Sequence, residues 1–198
     1  MSGLIDALQS LVAIHAKYKL SGQFVKNSHV TGLWPSSLPS HPLLGELYSL
    51  FEPVDVKVET GVTPVRFAQV SSIERFQVGY RWYQSPTGLS AIEDWPAQFL
   101  VIMDDSGGGK PIIVAAATEL LEVYAAYDSV TPFKIADSLA DFINALVELI
   151  ALVYGAFQVF EVQDDNGIRE DFTHALATRV IPILGADNFD GFIDYFYG

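Results

Sequence analysis

The chain has 198 residues, half of them hydrophobic, which suits one medium-sized domain whose core needs no covalent staples. It contains no cysteine, so disulfides, thiolate metal sites and cysteine nucleophiles are excluded. Its 24 acids against 11 bases give a formal charge of −13, and residues 101–198 hold 16 of those acids with only 4 bases. Nucleic acid is a poor ligand for such a surface, because phosphate contacts need basic residues. A basic protein partner is favoured through faster association, although net negative charge also serves solubility alone.

In chain order, Leu4, Leu8, Leu11 and Tyr18 recur at helical spacing and predict an amphipathic helix over residues 3–20. Lys17 and Lys19 in its last turn suit the helix dipole, and His15 falls on or near the apolar stripe as a packing residue. The opening residues, Met1 to Asp6, lack a basic segment before an apolar one, so no secretory signal is expected and the chain reads as cytoplasmic. Residues 21–42, rich in glycine, serine and proline, predict a loop; His29 and His41 within it have no acidic neighbour to complete a metal site. Leu43 to Phe51 predicts a helix ended by Pro53, and Val54, Val56 and Val58 alternate with charged residues as a half-wet strand. Val65–Val70 and Arg75–Tyr83 follow as predicted strands, the second carrying Tyr80, Arg81, Trp82 and Tyr83 as either core aromatics or an exposed aromatic surface.

The stretch from Phe99 to Asp128 organises the rest. An apolar run, the turn Asp104-Asp105-Ser106-Gly107-Gly108-Gly109-Lys110 and a second apolar run predict a buried β-hairpin covered on both sides. A long helix is expected from about Ile135–Asp137, with Leu139, Phe142, Ile143, Leu146, Ile150 and Val153 on one side and Gly155 as its cap. Asp137, Asp141, Asn144 and Glu148 interrupt that segment, which argues against a membrane span. Phe157–Gln163 predicts a strand turning at Asp164-Asp165-Asn166-Gly167, Asp171–Val180 a helix stopped before Pro182, and Phe189, Phe192, Ile193 and Phe196 a closing helix. With no long linker and no repeat, residues 1–198 form one expected α+β domain.

Catalytic patterns are weak. The triple glycine and Lys110 lack phosphate-loop spacing, because Asp104 and Pro111 stand where glycine and a hydroxyl residue are required. Neither acidic turn has the alternating ligands of a calcium loop, and no serine sits in a Gly-x-Ser-x-Gly elbow. No cofactor, metal or catalytic residue is assigned. A carboxylate pair that meets only in the fold keeps a hydrolase open as a further reading.

Phe99-Leu-Val-Ile-Met-Asp-Asp, Gly108-Gly109-Lys110-Pro111-Ile112-Ile113-Val114, Glu122-Val123-Tyr124 and Ile135-Ala136-Asp137-Ser138-Leu139-Ala140-Asp141-Phe142-Ile143 follow one another in a familiar order. This order resembles the SUKH superfamily, which includes Smi/Knr-type fungal cell-wall assembly regulators and bacterial toxin-immunity proteins. The matching stretch is under a quarter of the chain. The resemblance implies a mostly antiparallel central sheet packed by helices, and a binding role without catalysis. It implies an immunity protein that neutralises a cognate toxin, often a nuclease, with a regulatory scaffold for host proteins as the alternative. A nuclease presents a basic cleft, so the expected contacts are Asp104, Asp105, Glu122, Asp128, Asp164 and Asp165, with Tyr80 and Trp82 as aromatic anchors.

Overall fold

The strands are β1 (Ser21–Val25), β2 (Glu52–Val58), β3 (Val65–Phe67), β4 (Trp82–Ser85), β5 (Gly88–Ala91), β6 (Phe99–Asp105), β7 (Ile112–Ala115), β8 (Val123–Ala125), β9 (Phe133–Ala136), β10 (Gln163–Asp164) and β11 (Gly167–Ile168). In this computed structural model, which describes residues 2–127 and 131–198, seven of them form one sheet in the order β1-β2-β3-β6-β7-β8-β9. Every neighbouring pair in it is antiparallel, so the sheet is a meander interrupted once, between β3 and β6, by the excursion that carries the β4–β5 hairpin. The fold is α+β.

Helices α1 (Ser2–Tyr18), α2 (Val30–Leu33), α3 (Pro42–Leu50), α4 (Ile73–Phe76), α5 (Leu139–Gly155), α6 (Glu170–Leu184) and α7 (Ala186–Tyr197) complete the chain. The apolar stripes of α1, α5, α6 and α7 share one core with Val56, Val58, Val65, Leu100, Met103, Ile112, Val114 and Val123 of the sheet. α5 is the centre of this layer; nine of its residues are buried, as its apolar spacing requires. On the opposite face a smaller cluster joins Tyr80, Val101, Ile113 and Ala126, edged by Phe76, Trp95, Phe99 and Tyr124. Both faces of β6 and β7 are therefore covered, helices on one side and the β3–β6 excursion on the other. No helix among the described residues is long and apolar enough to cross a membrane.

The elements depart from the sequence expectations where pairing outweighs local pattern. Residues 21–25, expected in a loop, form edge strand β1; its bulge brings Gly22, at φ 81°, against the backbone of Asp55. Arg75–Tyr83 is not a strand: it holds the end of α4, a turn, and only the first two residues of β4. Residues 133–136 form strand β9, and α5 starts after Ser138, whose Oγ accepts the Asp141 N–H at 3.0 Å. Gly155 lies inside α5; a β-carbon there would collide with the hydroxyl of Tyr18, so its role is close packing rather than capping. Most of Phe157–Gln163 is irregular, and the two-residue loop of β10–β11 is Asp165-Asn166, with Gly167 at φ 112° closing it. α6 continues through Pro182, which sits with Ile181 at the surface of the last turn, so the carbonyl it leaves unbonded faces water.

Candidate functional site

The sheet face away from the helix layer carries the polar surface, and a bulge in β6 decides what stands on it. Val101 pairs with Ile113 while Met103 pairs with Ile112, so two β6 residues oppose one position of β7. Ile102 and Met103 consequently both join the helix-side core, and the alternation restarts with Asp104 on the other face. Cross-strand register then sets Lys57 opposite Arg66 and Arg66 opposite Asp104, one row of charged residues across β2, β3 and β6.

Asp104 is 5% exposed. Both of its carboxylate oxygens lie 3.2 Å from the Tyr80 hydroxyl, which donates to them and accepts the Gly109 N–H at 2.9 Å. The Asp105 N–H adds a bond of 2.9 Å to Asp104 Oδ1. Burial, with the neighbouring Asp105 carboxylate, pushes the Asp104 carboxyl up to about 6, and burial beside that acid holds the Tyr80 phenol well above its ordinary value. Asp105 shapes the turn: Oδ2 accepts from the Gly107 N–H and Oδ1 from the Lys110 N–H, each at 3.0 Å.

Beside this group lies a cleft of about 720 Å³. Its floor is the Lys57–Arg66 row, one wall is formed by Arg75, Phe76 and Tyr80, and Gly108 and Gly109 form a rim without side chains. The Arg66 guanidinium lies 4.9 Å from the Phe76 ring centre. Its Nε is buried with no hydrogen-bond partner, and so is Oε1 of Gln69 in the same cleft. The wall is fixed by Gln77, fully buried, whose amide donates to the carbonyls of Ile73 and Val101 at 2.9 Å and accepts the Val101 N–H at 3.0 Å. β3 has ended at this level of β6, and the Gln77 side chain takes the place of the missing strand.

The structure brings together three of the residues singled out from sequence and disperses the others. Asp104, Asp105 and Tyr80 meet, but Asp104 and Tyr80 are buried against each other and do not project as surface contacts. Trp82 is half-buried on β4 and lines a second groove with Val78 and Leu89. Glu122 lies on the sheet, where it accepts from the Tyr124 hydroxyl at 2.8 Å and lies 4.0 Å from Lys134 Nζ. Asp164 and Asp165 are exposed on the β10–β11 hairpin, and Asp128 lies outside the described residues. His15 packs edge-on against Phe24 with its Nε2 3.1 Å from the Ser21 carbonyl, and His41 caps α3 through Nδ1. No group of three or more histidine and carboxylate side chains close enough to hold a metal is present among the described residues.

Two features escaped the sequence reading. One is the convergence of Lys57, Arg66 and Arg75, which stand on three successive elements, β2, β3 and α4. The other is Phe160, 85% exposed in the segment between α5 and β10, beside the exposed acids Glu161, Asp164 and Asp165. Its apolar neighbours Phe157, Val159 and Val162 gave no sign of that exposure. That segment is seated on the β2–β3 turn, where Gly61 at φ 90° touches Val162 and the Val159 carbonyl, and Val62 next to it is 39% exposed.

The class these features define is an α+β protein with a helix layer on one sheet face and a polar cleft on the other. No protein-family model, curated protein or solved structure matches the chain.

Proposed function

We propose that the chain is a non-catalytic protein-binding module that covers a basic protein partner, in the manner of the toxin-neutralising members of the SUKH superfamily it resembles. The observation that carries this reading is the surface around Phe160. An aromatic ring almost wholly in water, followed in sequence by the exposed acids Glu161, Asp164 and Asp165, has the make-up of an interface anchor with an acidic rim. The acids speed encounter with a positive surface and the ring supplies buried apolar area once docked. Residues 157–198 hold eight acids and two bases, so the segment that carries the anchor is net negative.

The test is capture from native lysate with the wild-type chain and with a Phe160→Ala/Asp164→Asn/Asp165→Asn variant, bound proteins being identified by mass. A basic protein retained by the first and lost from the second is expected, with thermal unfolding unchanged because all three side chains are exposed. Equal retention by both chains overturns the assignment of this surface.

A carboxylate-dependent hydrolase draws support from Asp104, a raised carboxyl beside a cleft. Its neighbour Asp105 is committed to the N–H groups of Gly107 and Lys110, which leaves the pair without a free second carboxylate. Hydrolysis of a glycoside panel that Asp104→Asn abolishes would favour this reading over the binding module.

A further inference from the structure

We propose that the cleft between β2–β3 and α4 binds a small multivalent oxyanion, a phosphoryl or polycarboxylate compound of up to about nucleotide size. The volume, about 720 Å³, is that of a small-molecule site. The cleft's lining gathers three of the chain's eleven bases. The chain has more than two acids for every base, and among the described residues its ion pairs use Lys134, Arg169 and Arg179. Lys57, Arg66 and Arg75 have no ion pair among the described residues, although all three line one cleft.

Two of these cations are direct cross-strand partners, Lys57 on β2 opposite Arg66 on β3. Like charges at that position repel and weaken the pair of strands unless an anion lies between them. Asp104, the next residue in the row, does not take that part: its oxygens are held by the Tyr80 hydroxyl and the Asp105 N–H. Asp55 also lines the cleft, so three cations face two carboxylates and the local balance is positive within a strongly negative protein. The Arg66 side chain makes no hydrogen bond among the described residues; its guanidinium stacks on Phe76, which leaves its N–H fork free to turn toward ligand oxygens. Gln69 Oε1, also unpartnered, offers an acceptor to any ligand that carries a donor such as a hydroxyl. The rim of Gly108 and Gly109, at φ 75° and 127°, brings backbone close to the opening with no side chain to block it.

The experiment is calorimetric titration of the full chain at low salt with pyrophosphate and, separately, with citrate. Heat of binding is expected with at least one; pyrophosphate alone assigns a phosphoryl ligand, citrate alone a polycarboxylate, and both assign the shared oxyanion chemistry. Lys57→Gln and Arg75→Gln, both at exposed side chains, are each expected to weaken binding by roughly tenfold, the loss of one charge-assisted contact. Lys17→Gln, on α1, serves as the control and is expected to leave affinity unchanged. Absence of binding by either probe up to about 10 mM, an affinity untouched in the Lys57→Gln/Arg75→Gln double variant, or an equal loss in Lys17→Gln each overturns the proposal. The outcome is separate from that for the Phe160 surface, since none of these residues lies on it.

Discussion

Replacing Gln77 with methionine removes the side chain that holds the cleft wall to the sheet while nearly conserving volume. The amide makes three hydrogen bonds of 2.9–3.0 Å, and the Val101 N–H and C=O point away from β7 toward a gap that β3 does not reach. Methionine fills the space but bonds neither group. Each buried backbone group left without a partner costs about 1–3 kcal/mol, so the two on β6 together cost about 2–6 kcal/mol. That is a large fraction of the roughly 5–15 kcal/mol that holds a domain folded. With a urea dependence of about 2 kcal/mol/M, the unfolding midpoint falls by about 1–3 M. Gln77→Glu separates the two bonds: its carboxylate still accepts from the Val101 N–H but repels the Val101 carbonyl, and it recovers stability at acid pH where a protonated carboxyl donates. Urea titrations followed by tryptophan fluorescence measure both variants. A midpoint shift below about 0.5 M for Gln77→Met would show that the bulged strand does not depend on this amide.

Asp104 supplies a pH test. Its folded-state pKa, about 6, lies above the ordinary 3.8, so its contribution favours folding fully below pH 4 and is lost as pH rises through 6. Asp104→Asn cannot ionise, and relative to wild type it gains up to about 3 kcal/mol between pH 4 and pH 7; denaturation at the two pH values giving the same difference would refute the burial of this charge. Gly61→Ala places a β-carbon against Val162 and the Val159 carbonyl at a left-handed backbone position, and it is expected to cost about 2 kcal/mol and to raise protease nicking near Phe160. Ser138→Ala removes the cap of α5 and is expected to lower stability by about 1 kcal/mol in thermal unfolding, with no effect on oxyanion binding.

Much of the scaffold was legible because its signals are local. The stripes of α1 and α5 repeat at 3.6 residues, and the β6–β7 hairpin announces itself as two apolar runs around a glycine turn. The errors share a cause. β1 has three exposed residues of five and is a strand only because β2 pairs with it, while Arg75–Tyr83 has strand-like aromatics yet is bent into a turn by the bonds of Gln77 to β6. In each case a distant partner outweighed the local preference.

By itself the sequence determined the helix layer, the central hairpin and the acidic excess of the second half, because periodicity and charge are properties of short stretches. The tertiary structure decided which side chains meet. A single bulge moves Asp104 from the helix-side face to the polar one, and no composition or spacing announces that change of parity. The same holds for Lys57, Arg66 and Arg75, which become neighbours only through strand register and the return of α4 over the sheet. Phe160 is likewise exposed because the segment after α5 seats Val162 on Gly61 and turns the ring outward, an outcome set by packing rather than by the residue's own preference for burial.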